Sequence, residues 1–371
     1  MCLIQIFRQP ENRKTIMNKT FLIAAGGTGG HIFPALAVAQ SLQKQGHSIV
    51  WLGSENAMET RLVPKYNIPL ETVAIKGIRG NGIKRKLALP FTLIKTILAT
   101  KNIIQKHNIS AVVGFGGFVS FPAGVAAKLC GIPLIIHEQN AVAGLSNKTL
   151  AKIARKVLFA FPTAFPNQTD GLVGNPVRAE IAAMPTPQER FANRQGSLKL
   201  LIVGGSLGAK VFNERLPEIL AAVSETQRPE ITHQCGKDNS ESVQNRYTEL
   251  GINAQCVDFI DDMLSAYANA DFIICRAGAL TIAELAAAGL GGILVPFPFA
   301  VDDHQTQNAQ YLVQGNAALC VPQPEFTVEK ISKQISELTR ERCLEWATNA
   351  RQLAKPQAAD DIAEAVLACV Q

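Results

Sequence analysis

The sequence predicts an α/β protein made of two doubly wound parallel sheets, and three observations predict it. Short apolar runs of strand length alternate with helical patterns along most of the 371 residues, the signature of strands joined by helical crossovers. Three of those runs end in glycine-rich loops, at residues 26–30, 114–117 and 204–208, where the chain must turn sharply at a strand's carboxyl end. The order strand, glycine loop, helix that begins near residue 20 begins again near residue 198, with no sequence repeat beyond it. Two similar sheets facing each other follow, each in a domain large enough for its own core.

Composition narrows the class. Hydrophobic residues make up 47% of the chain and charged residues 18%, the values of a globular protein. A net charge of +6 is too modest to imply a nucleic-acid partner, but it allows contact with anionic lipid or phosphate. The eight cysteines occur singly, without a CxxC pair, which points to reduced thiols rather than a disulfide framework or a zinc site. No apolar run reaches the roughly 18 residues of a membrane span. The start, MCLIQIFRQPENRK, lacks the basic and cleavage regions of a signal peptide. The expected division is a loose extension at 1–16, a first domain at 17–176, a second at 177–354, and a C-terminal helix at 355–371 that returns to the first domain.

In the first half, strands are expected at 20–25, 48–52, 70–75, 110–113, 132–136 and 156–161. The loop Gly26-Gly27-Thr28-Gly29-Gly30-His31 opens a helix carrying Ile32, Leu36, Ala39 and Leu42 on one face. Read from Gly27, the dinucleotide fingerprint needs a glycine at position 32; Ile32 stands there, so that match fails. His31 at the helix start is a candidate for acid–base chemistry. From Thr72 to His137 there are nine Lys or Arg and no Asp or Glu. Within that span Lys84, Arg85 and Lys86 run into an apolar helix with Leu87, Phe91, Ile94 and Leu98. This reads either as an internal helix with a solvated basic start or as a face that lies on an anionic membrane. The strand at 132–136 ends in His137-Glu138-Gln139-Asn140, four polar residues that suit a site better than a core.

Gly174-Asn175-Pro176-Val177-Arg178 breaks the pattern, and the second half then supplies strands at 198–203, 231–234, 255–259, 270–275 and 293–297. The most informative stretch is CRAGALTIAELAAAGLGGILVPFPFAVDDHQTQNA, residues 275–309. A strand meets a glycine turn, and a helix start at Ala279 offers free amides to an anion. Glu284, one turn on, can accept two hydrogen bonds from a vicinal diol such as a ribose. The next strand opens beside it into Asp302, Asp303, His304, Gln305, Gln307 and Asn308, the place where open α/β sheets bind ligands. Phosphate pocket, diol clamp and amide donors together suggest a nucleotide sugar. An alanine-rich helix with a solvated Glu284 would explain the local pattern equally well.

Eight motifs in order, GGTGGHIFPALAVA, GFGGFVSFPAG, HEQNAVAGLSNK, GNPVR, GGSLGA, FIDDM, CRAGALTIAE and DDHQTQNA, resemble those of the MurG-type glycosyltransferases over residues 17–371. The resemblance implies a GT-B fold, two Rossmann-like doubly wound parallel-sheet domains with a cleft between them. It implies transfer of GlcNAc from UDP-GlcNAc to the MurNAc 4-hydroxyl of undecaprenyl-pyrophosphoryl-MurNAc-pentapeptide (lipid I), giving lipid II, with inversion at the sugar. The first domain would face the acceptor and the cytoplasmic side of the membrane, and the second would hold the donor. By the same resemblance Thr28, Gly29 and Gly30 lie beside the donor sugar and diphosphate, and Asn140 contacts the GlcNAc. Arg178 and Ser206 reach the diphosphate, and Ile260 meets the uracil. Ala279, Leu280, Thr281, Ile282, Ala283 and Glu284 cradle the α-phosphate and ribose, and Gln305 meets the sugar hydroxyls. His31 is the favoured base, with Glu138 as the other candidate or as its orienting partner. No cofactor or metal is expected; Asp261-Asp262 and Asp302-Asp303 read as structural or polar-site residues. Contact with an anionic membrane surface, and with cell-wall synthesis or division proteins, is compatible with this reading; nucleic acid is not expected.

The sequence departs from the family pattern at Ala277, at Leu207 and at Gly291-Gly292, none of which carries an assigned role. The nearest alternative is a glycosyltransferase of the same fold that makes another glycolipid from a UDP-sugar. An oxidoreductase, a UDP-GlcNAc 2-epimerase and a lipid-binding module fit fewer of the motifs.

Overall fold

The computed structural model describes residues 18–75, 83–205 and 207–371, with the side chains of residues 83–89 and of Val301 outside the described set. The expected extension at 1–16 therefore lies outside the described residues. Strands β1 (Thr20–Ala24), β2 (Ser48–Ser54), β3 (Leu70–Val73), β4 (Ile109–Gly114), β5 (Leu134–Glu138) and β6 (Lys156–Phe159) form one sheet. Strands β7 (Lys199–Val203), β8 (Glu230–Gln234), β9 (Ala254–Val257), β10 (Phe272–Cys275), β11 (Gly292–Leu294) and β12 (Ala318–Cys320) form the other.

The spatial orders are β3-β2-β1-β4-β5-β6 and β12-β11-β10-β7-β8-β9. The second is the first repeated, with β7 and β10 in the places of β1 and β4. Neighbouring strands pair in parallel in both sheets. Two Rossmann-like doubly wound sheets, the expected fold class, are therefore present.

Most strands are apolar because helices cover the sheet faces, although β3 carries Glu71 and Thr72 and β8 carries Glu230, Thr232, His233 and Gln234. Side chains alternate across the pleat: Phe21 and Ile23 of β1 enter one core layer with Trp51 and Val113, while Leu22 and Ala24 enter the other with Val50 and Leu52. A third apolar layer joins the halves, with Ala141, Ala160 and Phe161 packed among Ile282, Leu285 and Leu312. The Phe161 and Tyr311 rings meet edge to face, 5.1 Å between centroids. The last helix, Ala358–Ala368, lies on the helix Gly29–Lys44 and buries Ile362, Ala363 and Val366 in the first domain's core. The Ser41 hydroxyl donates to Asp360 there at 2.5 Å.

Some elements differ from the sequence expectation. Strand β12 has no counterpart in the sequence pattern, since three residues, two of them only partly buried, carry no period. Strand β11 stops at Leu294 rather than 297, just short of Pro296, which has no N–H for a ladder. Strand β5 runs on through His137 and Glu138, because both still pair with Leu158 and Phe159 of β6. The basic helix extends over Ile83–Lys106, 24 residues.

Candidate active site

In each sheet the strand order reverses between two strands, β1 and β4 in the first and β7 and β10 in the second. The crevice outside the carboxyl ends of such a pair is where open sheets bind ligands, and all three glycine loops and the Arg276-Ala277-Gly278 turn lie there. The loops after β1 and β4 touch: Gly117 has φ +78°, and a Cβ on it would stand 2.4 Å from the Gly26 carbonyl oxygen. In the second domain Gly208, φ +73°, approaches the Cys235 carbonyl just as closely. Only glycine permits either approach.

Glu59 fixes the first loop from beneath. It is fully buried, and its carboxylate accepts from the Gly27 amide at 3.1 Å and the Ser54 amide at 2.8 Å. The loop delivers Thr28, Gly29, Gly30 and His31 to the start of the helix Gly29–Lys44. Neither this helix nor Ala279–Ala288 has a capping side chain or an acidic residue in its first turn, so both starts can offer amides to an anion.

His31 Nδ1 lies 3.2 Å from the Gly26 carbonyl oxygen and 3.3 Å from the Thr28 hydroxyl. A carbonyl oxygen only accepts, so Nδ1 carries the proton and Nε2 keeps its lone pair. Burial holds the ring below the usual histidine range, against the opposing pull of the Glu138 charge and the Gly26 hydrogen bond. The ring is thus neutral near pH 7, with a base atom at Nε2.

At the end of β5, Glu138 is buried and fully engaged. One carboxylate oxygen accepts from the Asn140 backbone N–H at 3.0 Å and its side-chain amide at 3.2 Å. The other accepts from the Gly144 N–H at 3.0 Å and the Asn147 amide at 2.9 Å. Glu138 therefore shapes the loop that carries Asn140. His137 points to the opposite side of the pleat, where Nε2 donates to the Gly174 carbonyl at 2.9 Å.

Asparagines bind the two domains across the cleft. Asn308 accepts from the Ala141 N–H at 2.8 Å and donates to the Ala277 carbonyl at 3.2 Å and to Asn140 Oδ1 at 3.4 Å. Asn175 donates to the Gln139 carbonyl at 2.9 Å and the Ala279 carbonyl at 3.3 Å. The Asn140 loop and the Ala279 helix start are thus held together.

On the second domain, Glu284 is 8% exposed, so it is not the solvated carboxylate that the helix pattern alone allowed. Arg178 Nε and Nη2 donate to its Oε1 at 3.2 and 3.1 Å, and the Tyr267 hydroxyl donates to Oε2 at 3.1 Å. Burial raises the Glu284 carboxyl above the usual range, although Arg178 and Tyr267 pull the other way. The Gln305 side-chain oxygen accepts from the Ala277 N–H at 3.2 Å and the Phe297 N–H at 2.9 Å, leaving its amide group as the part to meet a ligand. Ile260 lines a groove of about 820 Å³ on the second sheet's side. Arg276 donates to the Val295 and Pro296 carbonyls at 3.2 and 3.0 Å and to the Gln323 side-chain oxygen at 2.7 Å. Asp262 caps the helix Met263–Asn269 through the Ser265 N–H at 2.9 Å.

The structure thus gathers Thr28, Gly29, Gly30, His31, Glu138 and Asn140 at one wall, and Arg178, Glu284, Gln305 and the helix residues Ala279, Leu280, Thr281, Ile282 and Ala283 at the other. Ser206 and the side chains of Lys84, Arg85, Lys86 and Leu87 lie outside the described residues. Phe91, Ile94 and Leu98 are exposed along one stripe of their helix. Sequence reasoning missed Glu59, Tyr267 and Asn175 as site residues, and it gave Asn308 no structural role. The local pattern does not reveal these contacts, since each residue has a partner remote in sequence.

The model of the glycosyltransferase family 28 N-terminal domain matches residues 21–159, and that of its C-terminal domain matches residues 199–366. The crystal structure of Acinetobacter baumannii MurG superposes with a TM-score of 0.85 at 43% identity, covering 94% of this chain and 99% of that one. The chain belongs to the MurG-type glycosyltransferases of family 28. Among MurG-type relatives, the UDP-N-acetylglucosamine--N-acetylmuramyl-(pentapeptide) pyrophosphoryl-undecaprenol N-acetylglucosamine transferase of Neisseria gonorrhoeae (strain NCCP11945) is 60% identical over 351 residues, 95% of this chain and 99% of its own. The protein of the same name from Dechloromonas aromatica (strain RCB) is 49% identical over 94% of this chain and 98% of its own. Outside the MurG type, the kitacinnamycin glycotransferase, at 16% identity and a TM-score of 0.67 over 93% of this chain and 98% of its own, shares the fold.

Proposed function

We propose that this protein transfers GlcNAc from UDP-GlcNAc to the MurNAc 4-hydroxyl of lipid I, with inversion, to give lipid II for peptidoglycan synthesis. The observation that carries the reading is the match, at 60% identity over 95% of the chain, to a transferase whose name states that donor and that acceptor. The cleft supports it with a neutral histidine at one wall and a diol-sized carboxylate at the other.

In this scheme His31 Nε2 takes the proton of the acceptor hydroxyl as its oxygen attacks the sugar's anomeric carbon from the face opposite UDP. The bond to the diphosphate breaks, and UDP leaves with the electron pair. Arg178, Ser206 and the amides at Ala279 meet the charge on the departing diphosphate, a role suited to a fork of donors and to a helix start. Glu138 holds Asn140 toward the sugar and adds a negative charge that favours protonated His31. Glu284 takes the ribose hydroxyls as donors in exchange for part of its present set, Arg178 and Tyr267. Ile260 meets the uracil, Thr28, Gly29 and Gly30 lie by the sugar and diphosphate, and Gln305 donates to the sugar. No step is routed through a metal.

Residues 17–176 form the acceptor-facing domain and 177–354 the donor domain in this reading, with 355–371 tying them together. No helix among the described residues is long and apolar enough to cross a membrane. Contact with the anionic cytoplasmic face is instead assigned to the helix Ile83–Lys106, whose Phe91, 78% exposed, and Ile94, 57% exposed, stand beside a basic segment.

The test is transfer of labelled GlcNAc from UDP-GlcNAc to a lipid I analogue, with UDP-galactose as control donor. Transfer from UDP-GlcNAc, lost in His31→Ala at saturating donor, is the expected result. UDP release without transfer would move the acceptor to another glycolipid; near-normal kcat in His31→Ala would remove His31 as base. Co-sedimentation with anionic liposomes, weakened in Phe91→Glu/Ile94→Glu, tests the membrane face.

A further inference from the structure

Gln139 sits beside the proposed base and is used by no step above. It is 2% exposed, and the orientation of its amide follows from chemistry. His137 is buried and donates through Nε2 to the Gly174 carbonyl, so its Nδ1 presents a lone pair. Gln139 Nε2 lies 3.1 Å from that Nδ1 and 3.3 Å from the His137 carbonyl oxygen. Both are acceptors, so the NH₂ group must face them. Turning the amide round would set an oxygen against two acceptors. The Gln139 oxygen is thereby directed away from His137, buried, and has no hydrogen-bond partner among the described residues.

That oxygen and the base border one gap without a hydrogen bond between them in the resting protein. A Cβ built on Gly116 would stand 3.0 Å from His31 Nε2 and 3.7 Å from Gln139 Oε1, so ring edge and amide oxygen border the same gap. The Gly116 N–H does not fill it, since it donates to the Ser120 hydroxyl at 2.9 Å. In the resting protein Nε2 is an acceptor and offers the amide nothing. Once Nε2 has taken a proton it becomes a donor. The hydroxyl oxygen that gave the proton is by then part of a glycosidic link, a poor acceptor.

We infer that Gln139 is a positioning residue of the reaction, whose side-chain oxygen accepts from the proton-bearing Nε2 of His31. This rests on the reading of His31 as base and deepens it. A buried acceptor left without a donor raises the energy of the resting site; a donor formed during the reaction removes that penalty, so the contact favours the transition state over the ground state. The titratable groups that face His31 among the described residues are Glu138 at the end of β5, Glu59 from the helix Met58–Leu62 and His304 from the helix His304–Gln314. All three remain in the variants below.

The experiment is a pH titration of His31 by ¹³C/¹⁵N NMR on the full-length protein without donor or acceptor, in wild type, Gln139→Met and Gln139→Glu. Methionine matches the length and removes the oxygen; glutamate restores an oxygen and adds charge. The expected result is a fall in the His31 pKa with methionine and a rise with glutamate, each by about one unit. In the transfer assay, kcat of Gln139→Met falls about tenfold or more, KM for UDP-GlcNAc holds, and the acid limb of the kcat/KM profile moves with the NMR value. A purely structural role would lower activity in both variants while leaving the His31 titration in place. An unchanged titration in both overturns the proposal. The titration needs neither substrate, so an error in the assigned donor or acceptor would silence the wild-type assay and leave the Gln139 result standing.

Discussion

Glu138 and Glu284 are both buried carboxylates, one at each wall of the cleft, and they are satisfied in different ways. Glu138 accepts four hydrogen bonds from residues 140–147, within nine positions of itself, two of them from backbone N–H groups. Glu284 is held by two side chains, Arg178 and Tyr267, which stand 106 and 17 positions away. Backbone donors in a closed loop cannot be withdrawn without unfolding the loop. Side-chain donors can rotate away and be replaced by the hydroxyls of a ligand. The first arrangement suits a scaffold and the second suits an exchange of donors, although in sequence both are simply acidic residues.

The strongest way to break this contrast is Glu138→Ala. Removing the acceptor of four donors should destabilise the domain by about 3–5 kcal/mol and lower Tm on the order of 10 °C, with loss of transfer. A variant that unfolds at the wild-type temperature yet is inactive would return Glu138 to a chemical role. Acid should separate the two walls next. Burial holds His137 at about 4, below the unfolded value of about 6.5. Its contribution is thus fully present above pH 6.5 and lost as pH falls through 4, about 3 kcal/mol in all. Denaturant midpoints measured between pH 7 and 4 should show that loss, and His137→Gln should flatten it.

The exchangeable wall should respond in affinity rather than stability. Glu284→Gln is expected to raise KM for UDP-GlcNAc about tenfold to a hundredfold with little change in Tm. In the wild type, donor affinity should decline as pH falls through a range above that of an ordinary carboxyl, because burial raises this group and the protonated form accepts poorly from a diol. A Glu284→Gln protein with unaltered KM would mean that the ribose binds elsewhere. The smallest effect is expected for Arg178→Lys, which swaps a fork for a point charge. KM for the donor should rise about threefold to tenfold, measurable by initial rates.

Much of this architecture was legible. The strand and helix alternation, the glycine loops and the restart near residue 198 correctly announced two doubly wound sheets. The placement of Glu284 on a helix after an apolar strand left a diol clamp and a solvated acid equally open, and only its burial removes the second. The cluster His137 to Asn140 was recognised as a unit, but the strand was ended two residues early, because its last two rungs are made by β6 and not by local pattern. Strand β12 was invisible for the same reason. Glu59 and Tyr267 carry no local signal, and Asn175 stands out only as part of its motif, because each acts through a partner 32, 17 or 104 positions away.

Local quantities were therefore settled by the chain alone: which segments are apolar, with what period, and where a glycine lets the backbone turn. These depend on neighbours a few residues apart, and they suffice for fold class and for the general position of a site at strand ends. Only the tertiary structure decided the state of the polar groups within it. What holds Glu284, which nitrogen of His31 is free and which way the Gln139 amide points all depend on donors and acceptors that the fold brings together. Hydrogen bonds are short and directional, so a side chain's chemistry is set by what lies within about 3 Å of it, and no local pattern of residues records that distance.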